Sequence, residues 1–183
     1  MNVDEAYTRY LLSDLEERIE VKFQNRANLV TALTRKSFLN ENKVDWESNE
    51  RLAFLGDSVL QLIVSEQLYT KNREGKGILT ELRKEIVNDD VIAEKAKNLN
   101  IEHHILRGEG EARPGLGREF YANIYEALVG AVYLDTRCLA GVQLLLNRID
   151  ELQCDGTTGF DIASTTVAGP EYARHVARHI LLN

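Results

Sequence analysis

Only two prolines punctuate this chain of 183 residues, Pro114 and Pro170, so everything before Pro114 lacks the residue that most reliably ends a helix. Helical period fills that stretch. Leu12, Leu15, Ile19 and Phe23 recur at spacings of three and four, and residues 26–38 repeat the pattern with Leu29, Val30, Ala32 and Leu33. The strongest segment is 49–68, where Leu52, Leu55, Val59, Leu62 and Ile63 form one apolar face. Residues 78–98 and 118–134 have the same period, and 138–152 closes the series. Alternation of the strand type is nearly absent before residue 160. The expectation is an all-α domain over residues 1–150.

A chain of this length buries roughly 70% of the surface it exposes when unfolded, enough for one core without a disulfide or metal staple. Cys138 and Cys154 are too few for a disulfide framework and fit a reducing cytoplasm. No apolar run approaches the roughly 18 residues of a membrane span. The acidic N-terminus does not read as a secretion signal. With 29 Asp+Glu against 22 Lys+Arg, the net charge of −7 excludes nucleic-acid binding by bulk positive charge. It leaves room for a local basic face, or for acids gathered around a divalent metal.

Polar connections separate the helical segments: 40–48, the basic turn 71–77 (KNREGKG) and the Gly-rich 107–117. After Ile149 the composition changes. DELQCDGTTG reads as a linker, and the rest of 151–183 as a tail with a β-hairpin across Gly169-Pro170. His175, His179 and Cys154 are three candidate zinc ligands, a weak signal. His103 and His104 read as surface residues in a connection.

Two pairs of polar residues share helical faces. Glu50 and Asp57 are seven apart with position 53 between them, and Asn123 and Glu126 are three apart. Each pair lies among core-type residues, where a carboxylate is costly unless paired or metal-bound. Two readings stand: surface acids with ion-pair partners such as Arg51, or a functional cluster.

Four ordered blocks resemble the ribonuclease III family. NERLAFLGDSVLQLIV at 49–64 is similar to its signature helix, and NLVTALTRKSFLNEN at 28–42 to its ALTHRS helix. LTELRKEIVNDDVIAEKAKNLNI at 79–101 and REFYANIYEALVGAVYLD at 118–135 resemble two further family helices. The resemblance covers about residues 12 to 150 and implies a helical endonuclease domain that works as a homodimer. It also implies a Mg²⁺-dependent (or Mn²⁺-dependent) cut in double-stranded RNA that leaves 5′-phosphate ends. By position, the family's metal-binding acids fall at Ala53 (normally Glu), Asp57, Asn123 (normally Asp) and Glu126, with Glu50 in support. Asp57, Asn123 and Glu126 are thus the implied metal ligands, and Glu50, Asp57 and Glu126 the implied catalytic acids. Two first-shell acids are missing. Short family members with a similar LAYIGDA signature are nucleases nonetheless, whereas ribosomal and scaffold members that lost acids keep only the fold and RNA affinity. The second outcome would make this chain a catalytically inactive RNA-binding protein, or a partner of an active relative.

The resemblance further implies a dimer interface at Leu52, Phe54 and Leu55, with Phe54 inserted into the partner. RNA-backbone contacts are expected from Arg35 and Lys36, and from Lys71, Arg73 and Lys76 in the basic turn, each of which equally reads as a solvated cation. The 151–183 tail resembles a fragment of a double-stranded-RNA-binding domain, with Gly169 to Ala173 in its loop.

Overall fold

A computed structural model describes residues 1–111 and 117–154. Its α-helices are α1 (Val3–Arg9), α2 (Leu12–Ile19), α3 (Arg26–Leu33), α4 (Lys36–Glu41), α5 (Glu50–Lys71), α6 (Lys76–Ile86), α7 (Asp89–Asn98), α8 (Arg118–Thr136) and α9 (Leu139–Cys154). Short 3₁₀ turns occupy Ile101–His104 and Glu109–Glu111. Among the described residues there is no strand, only one isolated bridge between Thr34 and Leu106. The expected all-α class holds. The hairpin, His175 and His179 lie outside the described residues, while Cys154 is the last residue of α9.

The centre is α8, which is apolar nearly all round, with Phe120, Ile124, Tyr125, Leu128, Val129 and Val132 all buried. A helix of that composition is covered on every side. Here α3, α5, α7 and α9 do the covering. The α5 contact is the closest. A Cβ placed on Gly56 would lie 1.7 Å from the Glu126 carbonyl oxygen, and one on Gly130 would lie 2.3 Å from that of Leu52. The two helices therefore cross backbone to backbone, which only glycine permits at these positions.

Side chains pin the periphery. At the end of α8, Asp135 accepts hydrogen bonds from the backbone N–H groups of Gln24 and Asn25 and from Asn28 Nδ2, at 2.8–3.0 Å. That carboxylate satisfies donors at the start of α3, which Asn25 also caps. The buried Glu16 carboxylate binds the Tyr7 hydroxyl and the Phe23 amide, joining α1 to α2.

Several boundaries depart from the period read in the sequence. The 12–23 segment stops at Glu20, whose φ of 55° ends α2, and Phe23 reaches the core from beyond it. The 26–38 segment breaks at Thr34 and Arg35, because its backbone is taken by other chain segments. Arg35 N donates to Leu106 O at 2.8 Å, Leu106 N to Leu33 O at 2.9 Å and Asn49 N to Thr34 O at 2.8 Å. The 78–98 segment divides at Asn88, which caps α7 by accepting from Val91 N. Asn40 and Glu41 belong to α4, and Lys76 and Gly77 open α6 rather than end a turn. Asp150 to Cys154 continue α9, where a linker was expected. The buried Asp150 pairs there with the buried Lys95 of α7. Losing either partner of such a pair strands a buried charge, at a cost of about 3–5 kcal/mol. His104 is buried, with Nδ1 2.9 Å from Tyr10 O, whereas His103 is exposed as expected.

The crossing gives a direct test. Gly56→Ala should destabilise the fold by at least about 3 kcal/mol, since backbone cannot yield as a side chain would. Chemical denaturation would read this, and a loss under about 1 kcal/mol would contradict the contact.

Candidate active site

Gly56 and Asp57 are consecutive on α5, and Gly56 sits against the backbone of Glu126. The crossing that excludes a Cβ therefore brings the Asp57 and Glu126 carboxylates to one place. Asn123 lies one turn earlier on α8, partly exposed, with Nδ2 donating to Glu119 O at 2.8 Å. Its Oδ1 makes no hydrogen bond among the described residues. Ala53 lies one turn before Asp57 and is buried, so no polar atom stands where the family resemblance places a carboxylate.

Glu126 carries the electrostatic signature of the site. Burial, the Asp57 charge and the Asp89 charge, in that order, push its carboxyl from 4.5 up to about 7. Asp89 is a residue the sequence reading missed. It stands exposed in the first turn of α7, and the Asn88-Asp89-Asp90 run, a helix cap followed by two acids, was the available signal. Gln61 was missed as well: its Nε2 donates to both oxygens of Asp57 at 2.9 Å.

The other expected residues are placed as follows. Glu50 is exposed at the start of α5, 3.4 Å from Ser48 Oγ and 3.9 Å from Lys36 Nζ. Arg51 does not pair with it and binds Glu47 at 2.7 Å instead. Arg35 is engaged internally, 3.2 Å from Glu111 and 4.9 Å above the Phe120 ring. Ser37 also donates to Glu111, so this cluster ties the Glu109–Glu111 turn to α4. Lys36 is exposed, as are Lys71, Arg73 and Lys76 around the α5–α6 connection. Phe54 is 79% exposed, and Leu62 and Tyr69 continue the same outer side of α5 at 54% and 77%. Leu55 is half-buried, but Leu52 is turned into the core.

Among the described residues no group of three or more His, Cys, Asp or Glu side chains is arranged to enclose a metal ion. The arrangement fits an open site of two carboxylates and one amide oxygen. Mg²⁺ suits such a site, since it often keeps several waters and takes one or two carboxylates plus substrate phosphate. A carboxyl held near 7 by burial and by two negative neighbours is also what a divalent cation would relieve.

Residues 25–149 match the Ribonuclease-III-like family. The Ribonuclease 3 of Clostridium beijerinckii is 45% identical over 131 residues, covering 69% of this chain and 56% of that protein. That of Phytoplasma mali is 36% identical over 126 residues, covering 68% and 56%. The crystallised nuclease domain of ribonuclease III from Campylobacter jejuni superposes with a TM-score of 0.67 at 34% identity, covering 75% of this chain and 94% of that one. That structure is described as showing flexibility in a region involved in dimer formation. The chain belongs to the ribonuclease III family. It spans about half the length of the curated relatives it matches. No helix among the described residues is long and apolar enough to cross a membrane.

The raised Glu126 carboxyl predicts a pH effect with a definite sign. The folded, metal-free protein binds this proton more tightly than the unfolded chain, so stability falls as pH rises from about 4.5 through about 7. In chelator, Glu126→Gln should be more stable than the parent at pH 8, and most of that difference should be gone by pH 5. Thermal melts at both pH values would show this, and a difference independent of pH would contradict the site's electrostatics.

Proposed function

We propose that this chain is the nuclease part of a Mg²⁺-dependent endoribonuclease that cuts double-stranded RNA as a homodimer, leaving 5′-phosphate ends. The observation that carries the reading is the meeting of Asp57 and Glu126 at the α5–α8 crossing, with the Glu126 carboxyl pushed up to about 7. Mn²⁺ would substitute for Mg²⁺ at such oxygen ligands.

Asp57, Glu126 and the Asn123 amide oxygen would hold the metal. When bound, it supplies positive charge for the phosphate oxygens and a lowered pKa for an attacking water. The chain's own contributions are separate. Asp57 offers a half-buried carboxylate on a helix whose adjacent Gly56 is packed against α8. Glu126 changes protonation near neutrality, so the site gains its second negative charge about there. Glu50, on the exposed first turn of α5, adds a further acid two turns from Asp57.

Lys36, Lys71, Arg73 and Lys76 are exposed cations suited to RNA phosphates, which is how duplex RNA is largely recognised. Arg35, bound to Glu111, contributes by ordering α4 and the following Lys36 rather than by offering a free charge. The exposed Phe54, with Leu55, Leu62 and Tyr69 along the same helix, supplies an apolar stripe for a second copy. A two-fold pairing through it would present two acidic sites to the two strands of one duplex.

A second reading, an RNA-binding family member without catalysis, is favoured by Ala53 and by Asn123, neither of which brings a charge. Incubation with long double-stranded RNA in Mg²⁺, Mn²⁺ or chelator decides between them. The proposal expects metal-dependent fragments, and at least a ~100-fold loss in Glu126→Gln, since loss of a ligand should exceed the loss of an outer-shell partner. Binding without cleavage by a folded parent protein would overturn it.

A further inference from the structure

We propose that Gln61 is a positioning residue for the active site, holding the Asp57 carboxylate in the orientation that receives the cation. The inference rests on the reading of Asp57 as a metal-holding acid and adds a residue to it.

Ala53, Asp57 and Gln61 succeed one another at intervals of four on α5, so they form one stripe along the helix. On the N-terminal side of Asp57 the stripe offers only a methyl group. On the C-terminal side Gln61 Nε2 lies 2.9 Å from Oδ1 and 2.9 Å from Oδ2. Among the described residues no other side chain hydrogen-bonds to Asp57. A carboxylate can only accept, so the amide nitrogen is the end of Gln61 that faces it.

The equal distances matter. Rotation of a carboxylate about its last bond is broad and nearly free. A donor spanning both oxygens narrows that rotation and leaves the lone pairs on the far side open. Such outer partners orient metal-binding side chains, and their loss typically costs about 10–100-fold in affinity or activity. With only one other carboxylate at the crossing, the orientation of Asp57 counts for more here than in a site with four acids.

Gln61 is itself held. Its backbone oxygen accepts from Ser65 Oγ at 2.6 Å, and Ser65 Oγ accepts from Arg83 Nη1 at 3.0 Å. That ties the turn of α5 carrying Gln61 to α6. Gln61 is only partly buried, and neither methionine nor histidine at 61 would create a buried void, so substitutions there leave the core intact.

The test is Mn²⁺ binding followed by electron paramagnetic resonance, on the parent, Gln61→Met and Gln61→His, with circular dichroism melts as the control for folding. Methionine removes the donor at similar length, while histidine keeps an N–H within reach of Asp57. Gln61→Met should bind Mn²⁺ about 10-fold more weakly, and Gln61→His should stay within about 3-fold of the parent. In RNA cleavage, Gln61→Met should need about 10-fold more Mg²⁺ for half-maximal rate with the KM for RNA unchanged. Equal Mn²⁺ binding by the parent and Gln61→Met overturns the role of Gln61 and leaves the active-site reading standing. Equal losses in both variants overturn it too, because the donor would then be irrelevant. No Mn²⁺ binding by the folded parent overturns the active-site reading and this inference with it.

Discussion

The structure depends on one backbone contact, the crossing of α5 and α8 at Gly56 and Gly130. At that point neither helix has room for a side chain on the facing side. The glycines lower helix propensity by roughly 1 kcal/mol each, a cost offset by the close packing they allow. The same contact brings the carboxylates together, because Asp57 follows Gly56 and Glu126 supplies the carbonyl against which Gly56 lies. Packing and chemistry here share one cause.

Around the crossing, the electrostatics are those of a few acids gathered where two helices meet. Glu126 is half-buried there beside Asp57, a third acid, Asp89, acts on it from the start of α7, and burial and the two charges together hold a proton on it to near neutrality. Ala53 and Asn123, at positions where the family resemblance implies acids, bring no charge and leave the crossing undisturbed, since Ala53 is buried and Asn123 bonds its own helix. The Gln61 amide on Asp57 and the raised Glu126 carboxyl support the proposed nuclease reading.

Much of this was legible in the residues. The 49–68 and 118–134 periods mark α5 and α8, and the quoted signature blocks place Asp57, Asn123 and Glu126. The break at Thr34 and Arg35 was not legible, since no Gly or Pro marks it and the cause is pairing with Leu106 and Asn49 far along the chain. The extension of α9 past Ile149 hid behind a polar run, because Asp150 is helical and buried only by virtue of Lys95 on another helix. Arg35 reads as an RNA contact, and the structure adds a partner the sequence does not announce, Glu111, 76 residues away. Gln61 and Asp89 did not stand out for a related reason: a glutamine four residues after an aspartate, or an acid after a helix cap, is common on any helix surface. Only the crossing gives these two a place beside the site.

The central claim is that Asp57 and Glu126 share a divalent cation despite the missing acids. A crystal of this chain grown with Mn²⁺, with anomalous diffraction measured above the manganese absorption edge, tests it most directly. The account predicts a peak beside Asp57 and Glu126, the residues that would hold the cation, with Asn123 in reach of it. A well-ordered site showing no peak between them, at a Mn²⁺ concentration that saturates other oxygen sites on the protein, would contradict it.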